Sequence, residues 1–192
     1  MTAAEREVKN PTRLGQGGFT LLELIVVVAI VAILFTVGLN KYLELLVEVE
    51  RATMEQNIGI MRSAVAMQVA KKIVGDDLDG LSELAESNPM TYLAEQPQNY
   101  LGELHQADPA AIEGGSWYFD TAGNILIYRV KNTGYFQSAL AGPKRARFKI
   151  DLVYADHNGS GRFEPRIDAL EGLRLAALEP YQWLKKRQAK ED

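Results

Sequence analysis

The pattern of hydrophobic and polar residues changes near position 41. Residues 19–39 form an almost unbroken apolar run in which Glu23 is the only ionisable residue. At a rise of 1.5 Å per residue, a helix of this length would extend about 31 Å, the thickness of the hydrocarbon core of a bilayer. The run therefore predicts a membrane-spanning helix with one carboxylate near its N-terminal end, a position where a charge is costly and seldom accidental.

Beyond Lys41, apolar residues recur every three or four positions, a spacing typical of an amphipathic helix. They are Leu43, Leu46, Val47, Met54, Ile58, Met61, Val65 and Val69. We predict one helix over about residues 19–72, ended by Gly75 and the acidic turn that follows it. Its first half is apolar all round, and its second half is apolar on one stripe that should pack against a domain.

The rest of the chain predicts short helical turns and then a small sheet. Within residues 76–112, Asp79 is predicted to cap a helix over 80–86, and Pro89 and Pro109 to begin further turns. Strands are expected at 116–120, 124–131, 147–155 and 173–178, of which 147–155 alternates most regularly. The predicted fold class is α+β, with the second half of the long helix packed on a small antiparallel β-sheet.

Composition narrows the possible functions. The chain has 192 residues, a net charge of -4 and no cysteine. A mildly acidic protein has no general electrostatic reason to bind nucleic acid, and the absence of cysteine excludes disulfides, thiol nucleophiles and thiolate zinc sites. The basic residues Arg6, Lys9 and Arg13 precede the apolar run and favour a cytoplasmic N-terminus, which leaves the later residues on the periplasmic side.

The residues around position 18 resemble a known export signal. The string Gly17-Gly18-Phe19-Thr20-Leu21-Leu22-Glu23 stands before the apolar run, whereas an ordinary secretory signal is cleaved after it. This order resembles the signal of type IV pilins and of the pseudopilins of type II secretion. The resemblance implies cleavage after Gly18 by prepilin peptidase, methylation of the new terminal amine of Phe19, and pairing of Glu23 with that amine on a neighbouring subunit.

The resemblance also implies a domain organisation and a set of partners. Residues 1–18 would be a cleaved leader, 19–40 a transmembrane and fibre-core segment, and 41–192 a periplasmic pilin-like head that includes the amphipathic helix 41–72. The partners would be prepilin peptidase, an inner-membrane assembly platform and other pilin or pseudopilin subunits. Because many type IV pilins have a C-terminal disulfide, the lack of cysteine favours a pseudopilin of type II secretion. The lack of both cysteine and an evident major-pseudopilin calcium region favours a minor one. The alternative is a minor type IV pilin with a role in adhesion, DNA uptake or pilus assembly.

One polar loop has the beginning of a calcium-binding pattern. Asp156, Asn158 and Ser160 alternate before Gly161, as in an EF-hand loop, and Glu164 is a further candidate ligand. The pattern fails at its far end, where Ile167 takes the place of the bidentate glutamate. Two interpretations stay open: a calcium site, and a polar turn between two strands, which the composition favours.

Other candidate sites are weaker. Asp76, Asp77 and Asp79 suit an acidic turn better than a cation site, and His105 and His157 have no metal-ligand spacing. Basic residues at 144–149 and 185–187 offer a DNA-binding alternative, although solvated side chains are the simpler interpretation. Since no catalytic elbow, phosphate loop or dinucleotide fingerprint is present, we predict that the protein is not an enzyme and needs no cofactor other than a possible Ca²⁺.

The signal yields a first testable prediction. Processing should occur between Gly18 and Phe19, and a bulky residue in place of Gly18 should leave the leader attached. Mass spectrometry of the mature N-terminus measures this directly. A mature chain that begins anywhere other than Phe19 would contradict it.

Overall fold

A computed structural model describes residues 19–161 and 167–184 of the chain. Within these residues, two α-helices and seven strands follow one another, with short 3-10 helices at Pro89–Tyr92 and Thr133–Tyr135. They are α1 (Leu21–Val74), α2 (Leu78–Glu86), β1 (Tyr100–Leu104), β2 (Ser116–Asp120), β3 (Ile125–Arg129), β4 (Phe136–Ser138), β5 (Arg145–Ala155), β6 (Ala169–Ala177) and β7 (Tyr181–Trp183). The chain divides into two compact units between Tyr42 and Leu43. The predicted domain limits at 18/19 and 40/41 remain predictions.

Helix α1 confirms the predicted long helix to within two residues at each end. It closes with two backbone hydrogen bonds, from Asp77 N–H to the Lys72 carbonyl (3.0 Å) and from Asp76 N–H to the Ile73 carbonyl (3.2 Å). Asp76 has a φ of 53°, so this aspartate, rather than Gly75, adopts the left-handed conformation that ends the helix. Asp77 then caps α2 by accepting the Gly80 N–H at 2.9 Å. The cap predicted at Asp79 was therefore wrong by two residues.

The main sheet has five strands in the order β1-β2-β3-β5-β6. Strands β2, β3, β5 and β6 pair antiparallel, as expected from the sequence, whereas β1 runs parallel to β2. The sheet is therefore mixed, not wholly antiparallel. The sequence predicts loops and turns at residues 100–104, because Gly102 interrupts a short run with little alternation. Strands β4 and β7, which form a separate antiparallel pair, were not predicted either.

The core of the second unit lies between α1 and one face of the sheet. Six residues of α1 are buried on one stripe: Val47, Met54, Ile58, Met61, Val65 and Val69. They join a cluster that includes Trp117, Leu126, Phe148 and Ile150 of the sheet. The predicted packing of the second half of α1 on the sheet is confirmed, but the stripe begins at Val47, because Leu43 and Leu46 are exposed.

Aromatic rings complete the sheet side of this core. The centroid of Trp117 lies 4.7 Å from that of Tyr128 and 5.9 Å from that of Phe148, in tilted arrangements. Phe136 of β4 stacks on Tyr181 and meets Trp183 of β7 edge-on. Tyr181 also meets Phe148 of β5 edge-on, with ring centroids 5.9 Å apart, and this contact attaches the small β4–β7 pair to the main sheet. The architecture, one long N-terminal helix and a small sheet, is the predicted α+β, pilin-like fold.

The helix-on-sheet core gives a second prediction. In a fragment of residues 43–192, Ile58→Asp should lower the free energy of unfolding by more than about 3 kcal/mol, because it places a charge in an apolar core. Ile60→Asp is the matched control, since Ile58 is 3% exposed and Ile60 is 49% exposed. Urea unfolding of the three fragments measures the difference. Equal stabilities, or a parent fragment that does not fold, would contradict this core.

Candidate processing and assembly site

The predicted processing and assembly residues lie at the start of α1. Phe19 is exposed and, with Thr20, precedes the first turn of the helix. Gly18, the residue before the predicted cleavage point, lies outside the described residues. The Thr20 hydroxyl accepts the Glu23 N–H at 3.2 Å, and the Thr20 carbonyl accepts the Leu24 N–H at 3.1 Å. Thr20 is therefore the N-cap of α1, and Glu23 occupies the third helical position.

This geometry gives Glu23 a local role that the sequence analysis missed. Thr-x-x-Glu at a helix start is the capping-box pattern, in which the threonine side chain satisfies the third backbone N–H. A glutamate in the first turn also interacts favourably with the positive end of the helix dipole, by about 0.3–1 kcal/mol. The string Thr20-Leu21-Leu22-Glu23 carried this signal. An assembly role for Glu23 has to be separated experimentally from this capping role.

The side chains that follow are exposed without interruption. Every described residue from 19 to 43 has an exposed side chain, including large ones such as Leu21, Leu34 and Phe35. Monomeric soluble proteins rarely expose apolar surface over such a length. Of the helices in the described part of the chain, α1 is the one long and apolar enough to cross a membrane. This surface requires a bilayer or other apolar helices around it.

Comparison with known proteins agrees with this reading of the N-terminus. Residues 13–39 match the family model of the prokaryotic N-terminal methylation motif, the signal of type IV pilins and pseudopilins. The chain therefore carries the signal of a type IV pilin-like or pseudopilin precursor. The motif implies processing by prepilin peptidase and assembly with other pilin subunits, which are structural proteins. Together with the apolar helix, the motif fits a subunit anchored in the inner membrane. No solved structure matches the chain.

A second polar constellation, which we call the Glu50 clamp, fastens α1 to the sheet. Glu50 Oε1 accepts hydrogen bonds from the Lys131 N–H at 2.7 Å and from the Tyr128 hydroxyl at 3.1 Å. Its Oε2 accepts hydrogen bonds from the backbone N–H of Asn132 at 2.9 Å and from Asn132 Nδ2 at 2.6 Å. One carboxylate thus satisfies four donors at the end of β3. Burial, and secondarily the negative charge of Glu50, raises the pKa of Tyr128 far above its usual value.

Sequence reasoning gave no indication of the Glu50 clamp. Glu48 and Glu50 lie two positions apart in an acidic stretch and both read as solvated helix residues. In the structure Glu48 is exposed, whereas Glu50 is half-buried against the turn after β3. No spacing rule connects a helix residue to a turn about 80 positions later.

The calcium-loop candidates form a compact turn after β5. The Asp156 carboxylate accepts the N–H groups of Gly159 at 2.7 Å and Gly161 at 2.8 Å, and Asn158 Oδ1 accepts the Ser160 N–H at 3.0 Å. These backbone donors, Gly161 first, lower the pKa of Asp156. Gly159 and Gly161 have φ values near +70°, which a glycine adopts without strain. The loop is therefore held by its own hydrogen bonds.

The structure leaves the calcium interpretation a prediction. Glu164 lies outside the described residues. Asp168 is buried and accepts the His157 N–H at 3.0 Å. Among the described residues, no group of three His, Cys, Asp or Glu side chains is arranged to hold a metal ion.

The weaker candidates mostly have structural partners. Arg147 bonds to the Glu179 carboxylate, and Arg145 donates to the Ala141 and Pro143 carbonyls. Residues 185–187 lie outside the described residues.

The histidine and acidic candidates also have local partners. His105 contacts Thr121 Oγ1 at 3.1 Å and His157 contacts the Ala155 carbonyl at 2.9 Å, in two separate loops. Asp77, besides capping α2, pairs with Lys72 Nζ at 2.5 Å.

The Glu50 clamp gives a third prediction. Glu50→Ala should lower the free energy of unfolding of the 43–192 fragment by about 2 kcal/mol or more, because it leaves several donors without their charged acceptor. Glu48→Ala, an exposed acidic residue on the same helix, should change it by less than about 0.5 kcal/mol. Urea unfolding near pH 7 compares them, and equal effects would contradict the clamp.

A pH series provides an independent check on the same contact. Because the folded pKa of Tyr128 is raised above its ordinary value of 10.0, the folded state holds the phenol proton more tightly than the unfolded state. The resulting stability is complete below about pH 10 and is lost as the pH rises further. Tyr128→Phe should therefore make the unfolding free energy less dependent on pH above 10. An unchanged alkaline slope would contradict burial of this hydroxyl beside Glu50.

Proposed function

We propose that this protein is a structural subunit of a pseudopilus, a minor pseudopilin of a type II secretion system. The observation that carries the proposal is the methylation motif over residues 13–39, whose helical part is exposed and, apart from Glu23, has no ionisable side chain. A subunit of this kind needs no active site. It needs a helix that is stable in the membrane and then in a fibre, and a head that stays folded outside the membrane.

The proposed processing begins at the leader. Prepilin peptidase cuts between Gly18 and Phe19 and methylates the Phe19 amine, so that the apolar helix becomes the N-terminus of the mature chain. The basic leader residues Arg6, Lys9 and Arg13 hold that end on the cytoplasmic side. The subunit then spans the inner membrane once, with its C-terminal head in the periplasm, until the assembly platform moves it into the fibre.

Glu23 is the proposed assembly residue. An unpaired carboxylate is costly among apolar helices, and a positively charged amine nearby offsets much of that cost. The new Phe19 amine of a neighbouring subunit supplies such a charge. This pairing explains why the charge is kept in a run that is otherwise apolar over residues 19–39.

The absence of cysteine supports a pseudopilin over a type IV pilin, because many pilins close a C-terminal loop with a disulfide. Without a disulfide, the head is stabilised by packing of the buried stripe of α1 on the aromatic residues of the sheet. A strain that lacks the gene separates the two functions. Loss of protein secretion with normal piliation supports the pseudopilin, and the reverse supports a minor type IV pilin.

Substitution of Glu23 tests the assembly mechanism and is our fourth prediction. Glu23→Val should leave membrane insertion and cleavage largely intact, since it makes the span more apolar, but should impair incorporation into the fibre. The measurements are co-purification with sheared fibres and restoration of secretion in the deletion strain.

Glu23→Gln is the control that isolates charge from helix capping. Glutamine preserves the Thr-x-x-Gln form of the capping box and removes the negative charge. If pairing with the Phe19 amine matters, Glu23→Gln fails like Glu23→Val. Wild-type assembly of Glu23→Gln would assign the residue to capping alone and remove the pairing mechanism.

A further inference from the structure

The loop after β5 contains the one asparagine of the chain that is followed by glycine, Asn158-Gly159. The carboxamide carbon of an asparagine can be attacked by the backbone nitrogen of the next residue, which closes a succinimide ring and releases ammonia. Glycine at the next position favours this attack, because it has no Cβ to block the approach. The other asparagines of the chain precede proline or residues with larger side chains.

The loop holds the attacking nitrogen against a base. Asp156 Oδ1 accepts the Gly159 N–H at 2.7 Å, within the distance from which a general base can take a proton. An N–H bond lies in the plane of its peptide group, whereas the nitrogen attacks through the electron pair perpendicular to that plane. The hydrogen bond to Asp156 therefore orients the proton for removal and leaves the attacking face of the nitrogen open.

A second donor lies at the oxygen on which negative charge would develop. Attack on Asn158 Cγ moves that charge onto Asn158 Oδ1, and the Ser160 N–H donates to this oxygen at 3.0 Å. A backbone N–H in this position stabilises the tetrahedral intermediate of acyl transfer. A base and an oxyanion donor thus flank the same Asn-Gly pair.

The loop is anchored on both sides of this pair and is open to water. The His157 N–H donates to the buried Asp168 at 3.0 Å, and the Gly161 N–H donates to Asp156 Oδ2 at 2.8 Å. Residues 156–161 are all exposed, and a Cβ added at Gly159 would meet nothing within 4 Å. Water can therefore reach a ring that forms here.

We propose that Asn158 is a site of self-catalysed deamidation, with Asp156 as the base and the Ser160 N–H as the oxyanion donor. The Gly159 nitrogen bonds to Asn158 Cγ, and the Cγ–Nδ2 bond breaks. The proton taken by Asp156 passes to the leaving nitrogen, which departs as ammonia. Water then opens the succinimide at either carbonyl and leaves aspartate or isoaspartate at position 158.

The product loop differs from the original loop in charge and in backbone length. A second carboxylate lies close to Asp156, and the two like charges repel each other. Isoaspartate also lengthens the backbone, which displaces the N–H groups of Gly159 and Gly161 from Asp156. Deamidation therefore loosens the connection between β5 and β6, in a pilin and in a pseudopilin alike, so it is independent of the proposed function.

The rate of deamidation in the full-length chain, purified in detergent and kept at neutral pH, tests the proposal. The reference is a synthetic peptide of residues 152–161, which has the same Asn-Gly pair without the fold. Acid at position 158 should form roughly tenfold faster in the folded chain, well within what a positioned base and an oxyanion donor supply. Mass spectrometry after incubation in heavy-oxygen water measures this, because hydrolysis of a succinimide puts labelled oxygen into the product. Equal or slower formation in the folded chain would overturn the proposal.

Two substitutions separate this chemistry from flexibility of the loop. Asp156→Asn keeps an acceptor oxygen near Gly159 but removes the base, and should lower the rate to that of the peptide. Ser160→Ala is the matched control, since it keeps the backbone N–H that stabilises the oxyanion and should leave the rate unchanged. Faster deamidation in Asp156→Asn, or equal slowing in both variants, would show that Asp156 is not the base.

Discussion

Burial of one stripe of α1 is the interaction on which the head depends. A mixed sheet of five strands has a large apolar face and cannot be stable with that face in water. Met54, Ile58 and Met61 cover the face that Trp117 and Phe148 present. Because the helix residues are spaced for one side of an α-helix, the same positions that stabilise the sheet leave the opposite side of α1 exposed.

The parts of this fold that depend on local pattern could be predicted from the sequence. The spacing of three and four gave α1 and most of its buried stripe, and strict alternation gave β5. Strand β1 could not be found in the same way, because Gly102 breaks its pattern and its parallel partner begins 16 positions later. Strands β4 and β7 have three residues each, and their register is set only when Phe136 meets Trp183 in the core.

The candidate site shows the same difference between features that depend on neighbouring residues and features that depend on residues far apart in the sequence. The predicted cleavage and assembly residues lie within a few positions of one another, so a single string was enough to predict Gly18, Phe19 and Glu23 as a group. The capping role of Thr20 was equally local and readable. The Glu50 clamp could not be predicted from the sequence, because its donors lie 78 to 82 positions away. Glu50 differs from Glu48 only in the groups that the fold places next to it.

The location of the Glu50 clamp has a mechanical consequence. In the proposed fibre the subunit would be held by its N-terminal helix, so tension on the head would arrive along α1 from the N-terminal side. Val47 is the first buried residue of that helix, and Glu50, one turn later, accepts hydrogen bonds from the turn after β3. Because all four hydrogen bonds end on one carboxylate, displacing Glu50 from the turn would break them together. The clamp therefore protects the edge of the core at which peeling would begin.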